Sequence, residues 1–164
     1  MTQSQPVVLI QILQQEINFI EQLINRLTEE KQALLTRQFE TLESIANQKQ
    51  ELSTQLEQIT SQRVDLLGLN KQTKQPKQAL EEFLAQCSPQ EVEQINALNN
   101  ELAEKLVLCR ELNAVNGQVI TSNINTRQEI ISTITGQAPE NTSSVYTATG
   151  NIKSSSDSNR HQKA

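Results

Sequence analysis

The chain has 164 residues, enough for one ordinary domain, with 2% aromatic residues, 20% charged residues and a formal net charge of −5 at pH 7. Few aromatic or β-branched runs occur, which argues against a sheet, and the abundance of Gln, Glu, Leu and Ala favours long helices. The acidic balance and the near absence of aromatic side chains argue against nucleic-acid binding.

The cysteines and the histidine predict no special chemistry. Cys87 and Cys109 form no CxxC pair, so we expect a reduced cytoplasmic protein rather than a disulfide framework. The only histidine, His161, cannot complete a zinc site with two distant cysteines, and we expect neither a metal nor a cofactor. The apolar run at residues 7–10 lacks the basic start of a signal peptide, and no stretch is long enough to predict membrane insertion.

The first segment is predicted to form one helix over about residues 8–67. Its apolar residues recur at three- and four-residue steps on one face, and Gly68 provides a stop near the C-cap. Four polar residues share that face: Lys31, Gln38, Lys49 and Arg63. They could fix the register of a helical seam, but we expect their stems to lie along the seam while their charges reach water.

A short helix over about 77–87 follows a polar linker. Its apolar residues are Leu80, Phe83 and Leu84, and two to three turns are stable only when docked. We expect this helix to cover the end where the two long helices meet.

The last helix is predicted over about 89–135. Ser88 and Glu91 form a capping box around Pro89, and Pro139 prevents an immediate restart after the helix ends. One stripe contains the following residues: Ile95, Leu98, Leu102, Leu106, Cys109, Asn113, Asn116, Ile120, Ile124, Arg127, Ile131 and Ile134. Asn113 and Asn116 interrupt it, either to control register or to mark a boundary, and Gly117 weakens the helix by about 1 kcal/mol relative to Ala.

Residues 1–139 therefore predict an all-α domain: a long antiparallel helical hairpin of the coiled-coil type, with the short helix at its turn. Residues 140–164 are rich in Ser, Thr and Asn and predict a disordered, flexible tail. No nucleotide-binding, metalloprotease or serine-hydrolase motif is present, and paired carboxylates fall on exposed helix faces. We therefore expect no enzymatic activity.

Two local patterns resemble the FlgN family of flagellar export chaperones. The last helix carries Leu112-Asn113-x-x-Asn116-Gly117-x-x-Ile120, and the tail carries Tyr146-x-x-x-Gly150. Arg63, shortly before the end of the first helix, also fits the family's pattern, whereas Phe83 stands where many members have tryptophan. The resemblance spans nearly the whole chain and implies a cytoplasmic chaperone.

The resemblance also implies partners and sites. The clients would be the hook–filament junction proteins, hook-associated proteins one and three, bound through their C-terminal helices and delivered to the export apparatus. Tyr146 and Gly150 would dock on the cytoplasmic domain of the export gate, and the stalk protein of the ATPase complex is a further expected partner. The alternatives are a self-associating structural coiled coil and an adaptor or stalk subunit of a secretion ATPase complex.

The client surface is expected on the last helix, at Ile120, Ile124, Arg127, Ile131 and Ile134. These residues lie on one face beyond the two asparagines, and Arg127 could meet a client carboxylate. The competing interpretation is an internal cover. In an antiparallel hairpin, the first helix near residues 13–24 would pack on the same face.

Overall fold

The computed structural model describes residues 2–71, 75–135, 143–146 and 152–155, apart from the side chains of Lys71, of the strand residues and of several positions between 124 and 135. The α-helices are α1 (Gln5–Leu35), α2 (Leu42–Leu66), α3 (Pro76–Leu84) and α4 (Pro89–Thr135). Two short strands follow, β1 (Ser143–Tyr146) and β2 (Ile152–Ser155).

The segment predicted as one helix over 8–67 is divided into α1 and α2 by a reversal at residues 36–41, here called the tip. The N–H of Gln38 donates to the Ala33 carbonyl at 2.9 Å, and Arg37 adopts φ +58°. This is a Schellman-type helix end in which an arginine occupies the left-handed position that glycine usually fills. Phe39–Thr41 then forms a single 3-10 turn before α2 begins.

Helix α1 lies between α2 and α4. Ion pairs from Lys49 to Glu30 and from Arg63 to Glu16 show that α2 runs antiparallel to α1. Helix α4 runs parallel to α1, since Lys105 pairs with Glu21 at 2.9 Å and Asn116, further along α4, reaches Glu30. The predicted all-α class and antiparallel helical hairpin are confirmed, but the antiparallel partners are α1 and α2. The reversal at the tip and the turn through α3 together return α4 to the direction of α1.

The core is a seam along α1. Helix α4 contributes buried residues at seven-residue intervals, the spacing of a coiled coil: Ile95, Leu102, Cys109 and Asn116. At the end opposite the tip, Leu80, Phe83 and Leu84 pack against the core cluster, as expected for the short helix at the turn. The cluster itself contains Leu9, Leu13, Ile17, Ile20, Leu23, Leu27, Leu52, Ile95, Leu102 and Cys109.

Both predicted helix-boundary signals are present. The N–H of Ser88 donates to the Glu91 carboxylate at 2.8 Å, and the N–H of Glu91 donates to Ser88 Oγ at 3.3 Å. Gly68 ends α2 with φ +70°. These local interactions fix where α2 ends and α4 begins.

The segment predicted as a disordered tail contains a two-stranded antiparallel ribbon. Ser143 pairs with Ser155 and Tyr146 pairs with Ile152, and β1 contacts α4. A two-stranded ribbon is at best marginally stable by itself in water, so its contact with the helix contributes to its order.

Candidate functional site

A buried polar cluster joins all three long helices at one level, and we call it the polar junction. Lys49 of α2 is 0% exposed, and its ammonium donates to Glu30 Oε2 of α1 at 2.5 Å. Asn116 of α4, also 0% exposed, donates from Nδ2 to Glu30 Oε1 at 2.9 Å and to the Leu27 carbonyl at 2.8 Å. The charge of Lys49 was expected to reach water, but it lies inside the fold because a buried carboxylate neutralises it.

A second buried carboxylate lies two heptads earlier on α1. Glu16 is 1% exposed and accepts hydrogen bonds from Arg63 Nε at 2.8 Å and from Thr60 Oγ1 at 2.8 Å. Arg63 remains partly exposed, so this pair agrees with the expectation of a stem along the seam and a charge near water. The two ion pairs are nested around the tip and fix the α1–α2 register.

Helix α4 continues beyond the tip. Asn116 is level with Glu30, and parallel helices rise equally, so the end of α1 at Leu35 lies level with about residue 121. Burial follows this geometry, since Asn116 is buried whereas Asn123, one heptad later, is exposed. Residues 121–135, here called the α4 extension, thus project roughly 20 Å past the tip.

The predicted client-binding residues lie at the start of this extension and along it. Ile120 is half-buried at its base. Ile124, Arg127, Ile131 and Ile134 are helical, and their side chains lie outside the described part of the structure.

The predicted boundary residues lie just before the extension. Asn113 is half-buried and Gly117 is buried, within an unbroken helix. Tyr146 lies in β1 opposite Ile152, whereas Gly150 falls outside the described residues. The structure thus brings Asn116 to the polar junction, with Gly117 buried directly after it, and it places Tyr146 on a separate element.

Sequence reasoning missed the apolar surface at the tip. Leu35 is 60% exposed and Phe39 is 42% exposed, although both are large apolar side chains. Neither could be assigned to a surface while 8–67 was interpreted as one helix. The available signal was the charge pattern. Glu16 and Glu30 lie as far before residues 39–40 as Arg63 and Lys49 lie after them, which is the spacing of ion pairs across a reversal.

The two thiols are in protected environments. Burial raises the pKa of Cys109, opposed by the nearby charges of Lys49 and Arg110. Burial and the neighbouring Glu91 carboxylate raise the pKa of Cys87. Neither group has the lowered pKa that activates a nucleophilic cysteine.

The arrangement is a three-helix body past which α4 projects, with an apolar stripe in the sequence of the projecting part. None of the described helices is apolar over a length that could cross a bilayer. The family model described as FlgN protein matches residues 4–154, which covers the three-helix body, the α4 extension, β1 and all but the last residue of β2. The chain belongs to the FlgN family. FlgN proteins are flagellar export chaperones, which agrees with a structure built to present helix surfaces. No curated protein and no solved structure matches the chain.

Proposed function

We propose that this FlgN-family chaperone binds the C-terminal helices of hook-associated proteins one and three on the α4 extension and delivers them to the flagellar export apparatus. The observation that carries the proposal is the projection of α4 past the tip, with the apolar stripe of Ile120, Ile124, Ile131 and Ile134 continuing along it.

The direction of α4 argues against the internal cover. In an antiparallel pair, residues 13–24 of α1 would have packed on the stripe. In the parallel pair, Glu21 lies beside Lys105, and Lys105 precedes Ile120 by more than a heptad along α4. Helix α1 ends and α2 begins at the tip, so neither helix runs along the extension.

The polar junction supports a boundary role for Asn116. A buried asparagine that is held by a carboxylate and a backbone carbonyl allows only one alignment of α4 on α1. The apolar stripe before Asn116 packs within the chain, and the stripe after it becomes available to a guest helix in the helix-in-groove manner.

In the proposed function, the tail makes the contact with the export apparatus. Because β1 contacts α4, a client seated on α4 competes with the tail for helix surface. Displacement of the ribbon would release Tyr146, and the motif of Tyr146 and Gly150 would then bind the cytoplasmic domain of the export gate once a client is present. The stalk protein of the ATPase complex is a further partner in this delivery.

The test is the double substitution of Ile124 and Ile131 by Ser, with client affinity and melting temperature measured on the same samples. Two apolar side chains lost from an interface, at about 1.5 kcal/mol each, lower the affinity by about 100-fold or more. The Tm should change by no more than about 2 °C, since the extension lies outside the core.

The matched control replaces Val107 and Leu108 by Ser. Both are exposed apolar residues of the same helix, at 53% and 44%, but they lie below the extension. This control should leave client affinity unchanged, and Tyr146→Ala should weaken gate binding while client affinity is retained. A large loss of stability in the Ile124/Ile131 variant, with client affinity kept, would contradict the proposal. A change from oligomer to monomer without a client effect would favour the self-associating coiled coil.

A further inference from the structure

The end of α1 and the tip carry an exposed apolar and cationic surface. Leu35 and Phe39 are the two exposed apolar residues at the reversal, at 60% and 42%. Arg37 lies between them in sequence and is also exposed. This surface is separate from the polar junction, which is buried between the helices.

The backbone of Arg37 is in the left-handed region, with φ +58°. Glycine adopts this conformation without steric cost, whereas a residue with a Cβ does not. Among the described residues, Arg37 forms no ion pair. The position therefore holds a cation where the turn alone is better served by glycine, and such strain is characteristic of binding sites.

Helical periodicity places Leu35 beside the base of the α4 extension. Leu35 follows Glu21 by two heptads on α1, and Glu21 pairs with Lys105 of α4 at 2.9 Å. Residues two heptads apart return to within about 40° of the same face, so Leu35 lies on the α4 side of α1. Val119, two heptads after Lys105, is half-buried at the same level. The end of α1, next to the tip, therefore lies beside α4 just before the extension begins.

We infer that the tip binds the carboxyl-terminal end of the client helix seated on the α4 extension, with Arg37 pairing with the terminal carboxylate and Leu35 covering the last apolar turn. The identity of the occupant, a client helix, rests on the proposed function, whereas the site itself rests on the structure at the tip. The end of a C-terminal helix combines unsatisfied carbonyls, the negative end of the helix dipole and the α-carboxylate. An arginine guanidinium matches that carboxylate in a bidentate geometry.

The experiment compares two synthetic peptides of a client's C-terminal helix, one with a free carboxylate and one with a C-terminal amide. Their affinities are measured by fluorescence anisotropy for the wild-type chain and for Leu35→Gln, Arg37→Gly and a Val107→Gln control. The exposed fraction of Val107, 53%, is similar to that of Leu35, 60%, but Val107 lies on α4 away from the tip. Melting temperatures are recorded for all four proteins.

We expect the wild-type chain to bind the free acid about threefold more tightly than the amide, the effect of an exposed ion pair. Arg37→Gly should remove this preference while its Tm rises by about 2–6 °C, because glycine relieves the left-handed backbone. Leu35→Gln should weaken both peptides by about 5- to 20-fold at unchanged Tm. Val107→Gln should match the wild type.

Arg37→Gly is expected to raise the stability of the chain but to lower its preference for the free acid, which separates binding from structure. If Arg37 had no role in binding, the variant would show the higher stability with an unchanged acid preference. That result, or wild-type affinity in Leu35→Gln, overturns the inference. If those variants bind normally while the Ile124/Ile131 variant does not, the client site on α4 stands and only the tip is excluded. If neither peptide binds the wild-type chain, the proposed function itself fails.

Discussion

Replacement of Lys49 by Met tests the polar junction most directly. The substitution keeps the length of the side chain but removes the ammonium that lies 2.5 Å from the Glu30 carboxylate. Glu30 is 3% exposed, so water cannot take the place of the lost partner. Removal of one partner from a buried ion pair costs about 3–5 kcal/mol, because an uncompensated charge stays inside the fold.

The design is a double-mutant cycle with Glu30→Gln. The glutamine keeps an oxygen that can accept from Asn116 but carries no charge, so it also removes the carboxylate partner of Lys49 when introduced alone. Each single variant should lose about 3–5 kcal/mol of unfolding free energy, whereas the double variant should lie within about 2 kcal/mol of the wild type. Urea denaturation followed by circular dichroism at 222 nm measures all four proteins.

The exposed pair between Arg26 and Glu29 provides the control, with side chains 31% and 50% exposed. Arg26→Met should cost no more than about 1 kcal/mol, since exposed ion pairs contribute little. A Lys49→Met loss as small as this control, or a double variant that loses the sum of both single effects, would refute the account of the junction as a coupled buried pair.

Two further predictions concern the helix start and the thiols. Ser88→Ala should lower the unfolding free energy by about 1 kcal/mol through loss of the capping box, measured by urea denaturation, and Ser88→Asp should restore most of it because aspartate also caps. Burial raises the pKa of Cys87 and Cys109 in the folded chain. The stabilisation that results is fully present below the thiol pKa of the unfolded chain, about 8.5, and is lost as pH rises above it. The urea midpoint should therefore fall more steeply between pH 8 and 10 for the wild type than for a Cys87→Ala, Cys109→Ala double variant; parallel profiles would contradict this.

The features that could be predicted from the sequence are those determined by neighbouring residues. The Ser88–Glu91 capping box and the Gly68 stop act within a few residues, and the structure has both at the expected positions. The seam of α4 was likewise visible, since its buried residues recur every seven positions from Ile95 to Asn116. Local rules and periodicity sufficed for these elements.

The reversal at the tip could not be predicted from the same rules. No glycine or proline marks it, since Arg37 takes the left-handed position, and apolar residues continue in helical steps on both sides. The direction of α4 was consequently missed, because it depends on the number of reversals before it. The nested pairs Glu16–Arg63 and Glu30–Lys49 were the signal of a hairpin, but only when charged stripe residues are treated as partners of one another.

The central position of α1 has a consequence for the order in which the chain folds during synthesis. Its contacts with α2 join residues as few as 19 apart, so this hairpin can close as soon as α2 leaves the ribosome. Its ion pair and hydrogen bonds with α4 join residues 84 to 89 apart and must wait for most of the chain to be made. A nascent chain therefore presents one apolar flank of α1 until Asn116 has been translated, and at the end of that interval α4 becomes the guest helix that this flank receives.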